Sequence, residues 1–104
     1  MPKTLSDEER KAAIETLSGW IVSSEGKALT KCFKFKDFIE AFDWMTRASV
    51  VINKMDHHPE WTNVYGCVDV TLCTHDNNGI TQLDVDLARA MNDIATGKGQ
   101  FDTY

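Results

Sequence analysis

From Phe38 to Met55, apolar residues return every third or fourth position (Phe38, Ala41, Phe42, Met45, Ala48, Ile52, Met55), and no other stretch constrains the fold as tightly. That spacing lays a stripe along an α-helix. Trp44 and Val51 widen the stripe beyond one packed face, which predicts a helix buried on more than one side, against a sheet and against a second subunit. Asp37 is placed to cap its N-terminus. Pro59, which has no backbone N–H and disfavours the helical conformation in His58, is expected to stop it.

On both sides of this helix the period shortens towards two. Trp20-Ile21-Val22 has the aromatic and β-branched content of a strand, Glu25-Gly26-Lys27 reads as a turn, and Ala28 to Phe35 roughly alternates, imperfectly at Lys31. After Pro59, Trp61 to Tyr65 reads as a strand, Gly66 as a turn and Cys67 to Thr74 as the hairpin partner. In that partner Val68, Val70 and Leu72 share one face, while Cys67, Asp69, Thr71, Cys73 and His75 share the other.

The ends of the chain read as helices. Ser6-Asp7-Glu8-Glu9 is a capping box opening a first helix, expected to run to about Leu17 and to end at Gly19. Thr81 to Asp84 caps a last helix with the stripe Leu83, Leu87, Ala90, Met91 and Ile94, ended by Gly97. Residues 98–104 have no period and are taken as a C-terminal tail. The order α-β-β-α-β-β-α, with hairpin-linked strands, predicts an α+β fold: a four-stranded antiparallel sheet with three helices on one face. A chain of 104 residues suits a single domain over 1–104. So small an open sheet has two edges to protect, and pairing with a second copy is one solution, so a homo-oligomer is expected.

A formal net charge of −5 argues against nucleic acid or an anionic membrane as partner, since both reward clustered lysine and arginine. Three cysteines without C-x-x-C spacing suggest neither a disulfide framework nor a thiolate zinc site. Reduced thiols, with no apolar leader or membrane-length apolar run, point to a cytoplasmic or nuclear setting.

The chemistry concentrates in Asp56-His57-His58-Pro59-Glu60-Trp61. The third histidine, His75, lies just beyond the other end of the predicted hairpin, so antiparallel pairing brings all three imidazoles to one place. Histidine exchanges protons near neutral pH. Adjacent residues of an extended segment point to opposite sides, so His57 and His58 do not readily share one metal with His75, and no metal is expected. There is no elbow nucleophile and no glycine-rich phosphate loop. Acid–base catalysis and passive recognition of a small polar molecule are left open.

The run Asp56 to Trp61, then Asn63-Val64-Tyr65, Cys73-Thr74-His75-Asp76 and Asp84, resembles the pterin-4a-carbinolamine dehydratases, whose family is also known as the dimerisation cofactor of a homeodomain transcription factor. Phe35-Lys36-Asp37-Phe38 and Phe42-x-x-Met45-Thr46-Arg47 share the likeness, which extends over about residues 5–96. The spacing carries it: five residues lie between Pro59 and Tyr65, nine between Tyr65 and His75, and eight between His75 and Asp84.

The resemblance implies dehydration of 4a-hydroxytetrahydrobiopterin to quinonoid dihydrobiopterin, in tetrahydrobiopterin recycling, with no cofactor. It makes His57, His58 and His75 the catalytic group. His57 and His75 carry the main proton transfers and His58 contacts the 4a-hydroxyl. Asp56, His57, His58, Cys73, Thr74, His75 and Asp76 line the pterin pocket, and Asp84 orients a histidine. It further implies a dimer that joins two sheets and a tetramer built through the second helix. Asn53 stands where the family commonly carries Glu, and as an orienting residue it offers an imidazole a hydrogen bond but no charge. Leu83 stands where a polar residue is common. The alternative reading is an oligomeric binding module that stabilises a transcription factor's dimerisation region, a coactivator instead of an enzyme.

Overall fold

A computed structural model describes residues 2–23 and 25–97; the predicted tail at 98–104 lies outside them. The element order is α1 (Asp7–Glu15), β1 (Ile21–Val22), β2 (Leu29–Lys34), α2 (Phe38–Met55), β3 (Glu60–Val64), β4 (Cys67–Leu72), a 3-10 turn (His75–Asn77) and α3 (Gln82–Ala95). The expected α+β class is the observed one. All strand pairs are antiparallel and the sheet order is β1-β2-β4-β3, so the two hairpins meet through β2 and β4. That central pairing sets Leu29 opposite Leu72 and Phe33 opposite Val68. It gathers the apolar residues of both strands on the face that the helices cover.

The core is centred on Trp44. Its ring lies 4.4 Å from that of Phe33, 5.5 Å from Phe35 and 6.1 Å from Trp61, and its Nε1 donates to the carbonyl of Met91 at 3.1 Å. One side chain thus ties α2 to both hairpins and to α3. The indole N–H finds its acceptor inside the core, as a buried polar group must. Leu17, Leu29, Leu72, Leu87 and Met91 complete the interior, each worth roughly 1.5–3 kcal/mol on burial.

Several expectations are corrected at the element ends. Helix α1 stops at Glu15, short of Leu17, because the Thr16 and Leu17 N–H groups donate to the carbonyls of Ala13 and Ile14 and tighten the last turn. Helix α2 ends before Pro59 acts on it. Asp56 adopts the left-handed conformation (φ 51°) as C-cap and its N–H donates to the Asn53 carbonyl, so His57 and His58 already lie outside the helix. Strand β3 runs one residue earlier than expected, and β4 stops at Leu72 instead of Thr74.

The face of α2 that meets the core is Ala41, Trp44, Ala48 and Ile52. Phe38, Ile39, Phe42 and Val50 stand in solvent, Phe42 at 53% and Ile39 at 74% exposure, so the chain covers only part of the apolar surface of α2. Lys31, the break in the β2 alternation, points inward: Nζ donates to the Ser18 carbonyl (2.9 Å) and Asn92 Oδ1 (2.8 Å), 4.4 Å from the centre of the Phe33 ring. Partial burial lowers its pKa. Gly66 is required where it stands, since a Cβ there would lie 2.5 Å from the Phe35 carbonyl oxygen. Among the described residues no helix is long and apolar enough to cross a membrane.

Candidate active site

Three local structures converge at one end of the sheet. The first is the extended segment between the α2 cap and β3, carrying His57 and His58. The second is the loop from Thr74 to Gly79, closed by Thr74 N–H to the Gly79 carbonyl at 2.8 Å, with Asn78 in the left-handed conformation (φ 50°). His75 begins the 3-10 turn of this loop. The third is the N-terminus of α3, where Thr81 and Asp84 form a reciprocal capping box.

Asp84 joins all three. It has no exposed surface. Its Oδ2 accepts from Thr81 N (2.9 Å) and Thr74 Oγ1 (2.9 Å), and its Oδ1 lies 2.6 Å from His57 Nε2. A carboxylate only accepts, so the hydrogen in that short contact is donated by Nε2, and Nδ1 is left as the acceptor nitrogen of the neutral ring. The Thr74 and Thr81 hydroxyls are 2.8 Å apart, which completes a buried polar network with its donors and acceptors matched. The His57 side chain is 11% exposed, so the ring is held firmly yet reaches the surface.

The other two histidines are exposed. His58 Nε2 is 3.2 Å from Asp56 Oδ1, a solvated pair. His75 Nδ1 is 3.8 Å from Cys73 Sγ. Burial pushes the Cys73 thiol above the ordinary range, and the negative charges of Asp84 and Glu60 add to the rise.

A cleft of about 450 Å³ opens between these groups. Asp56, His57, His58, Cys73, Thr74, His75 and Asp76, the residues expected to line a pocket, all border it. Asn53 does not. It lies in a separate groove with Ser49, Lys54 and Trp61 that His58 also borders. Sequence reasoning passed over Pro2, Glu60 and Asn77, which also form walls of the cleft. Asn77 Nδ2 donates to the Pro2 carbonyl and to Thr4 Oγ1, both at 2.9 Å, and Leu5 N–H donates to the Ile80 carbonyl at 2.8 Å, so the N-terminal segment is strapped to the loop. No periodic signal marks such a strap. Glu60 is exposed and stands beside Cys73 and His75.

The volume suits a small bicyclic molecule. Three imidazoles around it, one fixed by a buried carboxylate, can move protons to and from such a guest.

The similarities of this chain to known proteins converge on one family. The family model described as pterin 4 alpha carbinolamine dehydratase matches residues 3–94. A Bradyrhizobium diazoefficiens protein named "Putative pterin-4-alpha-carbinolamine dehydratase" is 55% identical over 95 residues, 91% of this chain and 95% of its own. Its namesake from Afipia carboxidovorans is 54% identical over 99 residues, covering 95% and 99%. A crystal structure of a transcriptional coactivator/pterin dehydratase from Brucella melitensis superposes with a TM-score of 0.87 at 48% identity, over 89% of this chain and 99% of that one. With the family model covering nearly every described residue and relatives this similar over nearly their whole length, the chain belongs to the pterin-4-alpha-carbinolamine dehydratase family.

Proposed function

We propose that this protein dehydrates a 4a-hydroxytetrahydropterin to the quinonoid dihydropterin. The observation that carries the reading is the 2.6 Å contact of His57 with the buried Asp84, on a cleft that His58 and His75 share. In the reaction the C4a–O bond breaks with its electron pair on oxygen and an acid supplies the proton that makes water. A base removes the proton of the adjacent ring nitrogen, whose electrons form the C=N bond. No electrons are exchanged with a second reactant.

His57 presents Nδ1 as acceptor and takes the ring N–H proton. His75 is the partner in proton transfer, and His58, paired with Asp56, meets the 4a-hydroxyl. Asp84 orients His57. Asp56, Cys73, Thr74 and Asp76 surround the bicyclic ring. In a cell that uses tetrahydrobiopterin, the product is the form that a reductase recycles.

The test is to generate the 4a-hydroxy compound in situ and follow the quinonoid product spectroscopically against the spontaneous rate. Acceleration that is lost in His57→Ala and in His75→Ala supports the proposal. A rate equal to the spontaneous one refutes it.

A second reading rests on the exposed Phe38, Ile39 and Phe42 of α2 and on the coactivator name of the Brucella neighbour. On this reading the helix docks on other copies of the chain, as a homodimer or homotetramer, or on the dimerisation region of a transcription factor. Phe38 and Phe42 stack at 5.6 Å on that face. A monomeric sedimentation coefficient unchanged by Phe42→Glu would end the oligomer reading.

A further inference from the structure

The register of the β3–β4 hairpin sets Glu60 opposite Thr71. Cys73, two residues beyond Thr71, is therefore Glu60's diagonal neighbour on the uncovered face of the sheet, a position that longer side chains can span. The 3-10 turn then folds His75 back over the same corner, with Nδ1 3.8 Å from Cys73 Sγ. As a result one carboxylate oxygen, one thiol sulfur and one imidazole nitrogen lie within 4.8 Å of one another.

That arrangement is near a coordination sphere. A tetrahedral zinc ion with bonds of about 2.3 Å to sulfur and about 2.0–2.1 Å to nitrogen holds the two ligand atoms roughly 3.5 Å apart. The observed 3.8 Å closes by a small rotation of His75, whose side chain is exposed. Cys73 is half-buried just past the end of β4 and supplies the fixed point. A sulfur, nitrogen and oxygen set selects zinc and its neighbours over magnesium or calcium. The three ligands differ from the three-histidine set that the sequence raised: His57 is held by Asp84 and takes no part.

We propose that Glu60, Cys73 and His75 form a site for a thiophilic divalent cation of the zinc class, open towards the cleft at its fourth position, and that an ion bound there inhibits the enzyme. The thiol releases its proton to solvent as the sulfur–metal bond forms. With Nδ1 bonded to the metal, the ring's other nitrogen keeps its hydrogen, so His75 has no lone pair left to take a proton and is withdrawn from the reaction. The inhibitory half rests on the dehydratase reading above; the binding half stands without it.

The probe for binding is Co²⁺, added to the chelator-treated full chain carrying Cys32→Ser and Cys67→Ser. One equivalent is expected to give a sulfur-to-cobalt charge-transfer band and tetrahedral visible bands, both abolished by Zn²⁺. Cys73→Ser should remove the charge-transfer band, and Glu60→Gln and His75→Ala should each weaken binding about tenfold or more. Far-ultraviolet circular dichroism verifies that each variant is folded. Absence of the band, or its survival in Cys73→Ser, overturns the site. For inhibition, Zn²⁺ is titrated into the dehydratase assay. Half-inhibition near the binding midpoint, displaced about tenfold in Glu60→Gln relative to that variant's own metal-free rate, is expected. A metal-saturated enzyme at full speed overturns the inhibitory role. A chain that binds cobalt but never accelerates dehydration leaves the metal site standing and removes the function proposed for the cleft.

Discussion

Replacing Asp84 by Asn separates what this carboxylate does for the fold from what it does for His57. The side chain has no exposed surface and meets three donors: Thr74 Oγ1 and Thr81 N on one oxygen, His57 Nε2 on the other. An amide has a single acceptor oxygen. Facing the threonines, it keeps those two bonds and turns its NH₂ towards His57 Nε2, which must then accept, so the ring hydrogen moves to Nδ1. Facing His57, it leaves the buried Thr81 N–H opposed by another donor, at a cost of about 1–3 kcal/mol. The first orientation is therefore favoured. Two retained bonds pass from charge-assisted (about 1.5–3 kcal/mol each) to neutral (about 0.5–1.5), a loss near 2 kcal/mol. For a domain of this size that lowers Tm by roughly 8–16 °C. On the dehydratase reading proposed above, catalysis suffers separately, because Nδ1 now carries the hydrogen and cannot take the substrate's proton. A general base typically contributes 10²–10⁴-fold, so kcat is expected to fall by about 100-fold or more, with KM little changed. Scanning calorimetry and the in situ dehydratase assay read the two effects. A variant with lowered Tm and full kcat would reduce Asp84 to a cap on α3; an unchanged Tm would contradict the bond count itself.

Thr74→Val removes one donor to Asp84 but leaves the His57 contact, so stability should drop by about 1 kcal/mol with a smaller loss of kcat than in Asp84→Asn, as urea titration and the same assay would show. His58→Ala and His75→Ala remove exposed side chains and should leave Tm within the change expected from about 0.5 kcal/mol, while each slows dehydration; a large fall in Tm would mean that these rings support the fold. Cys73, whose thiol is raised by burial, should react with iodoacetamide along a pH profile whose midpoint lies above that of a free thiol, measured in Cys32→Ser/Cys67→Ser protein. Between the free and the raised values the unfolded chain has lost this proton and the folded chain keeps it, so the group's contribution to stability falls as pH rises through that window. A midpoint at or below the free-thiol value would contradict the cause assigned. For the α2 face, Phe42→Glu tests association better than a charge at Met45, because Met45 packs against the core and a charge there would disturb the chain's own fold.

The chain's local chemistry determined most of its elements. Ser6, Asp37 and Thr81 each cap the helix that their side-chain type and position announce, and the alternation of Val68, Val70 and Leu72 is the buried face of β4. Local reasoning failed where a residue's role is set by something distant in the sequence. The stripe on α2 does not reveal that Trp44 faces inward while Phe42 faces out, since both fit a helical period and only the position of Phe33, Phe35 and Trp61 decides. Lys31 looks like an error in its strand until Ser18 and Asn92 supply its acceptors.

The same division runs through the site. That three histidines sit at the ends of one hairpin is a property of the sequence, and antiparallel pairing is enough to bring them together. Asp84 was legible as a cap because the capping box is local. Its hold on His57 spans 27 residues and exists only because α3 starts against the segment leaving α2. The convergence of Glu60, Cys73 and His75 likewise depends on strand register and on a 3-10 turn, which no count along the chain supplies. Spacing sets which groups a segment carries; the packing of separate segments sets which of those groups come close enough to act on one another.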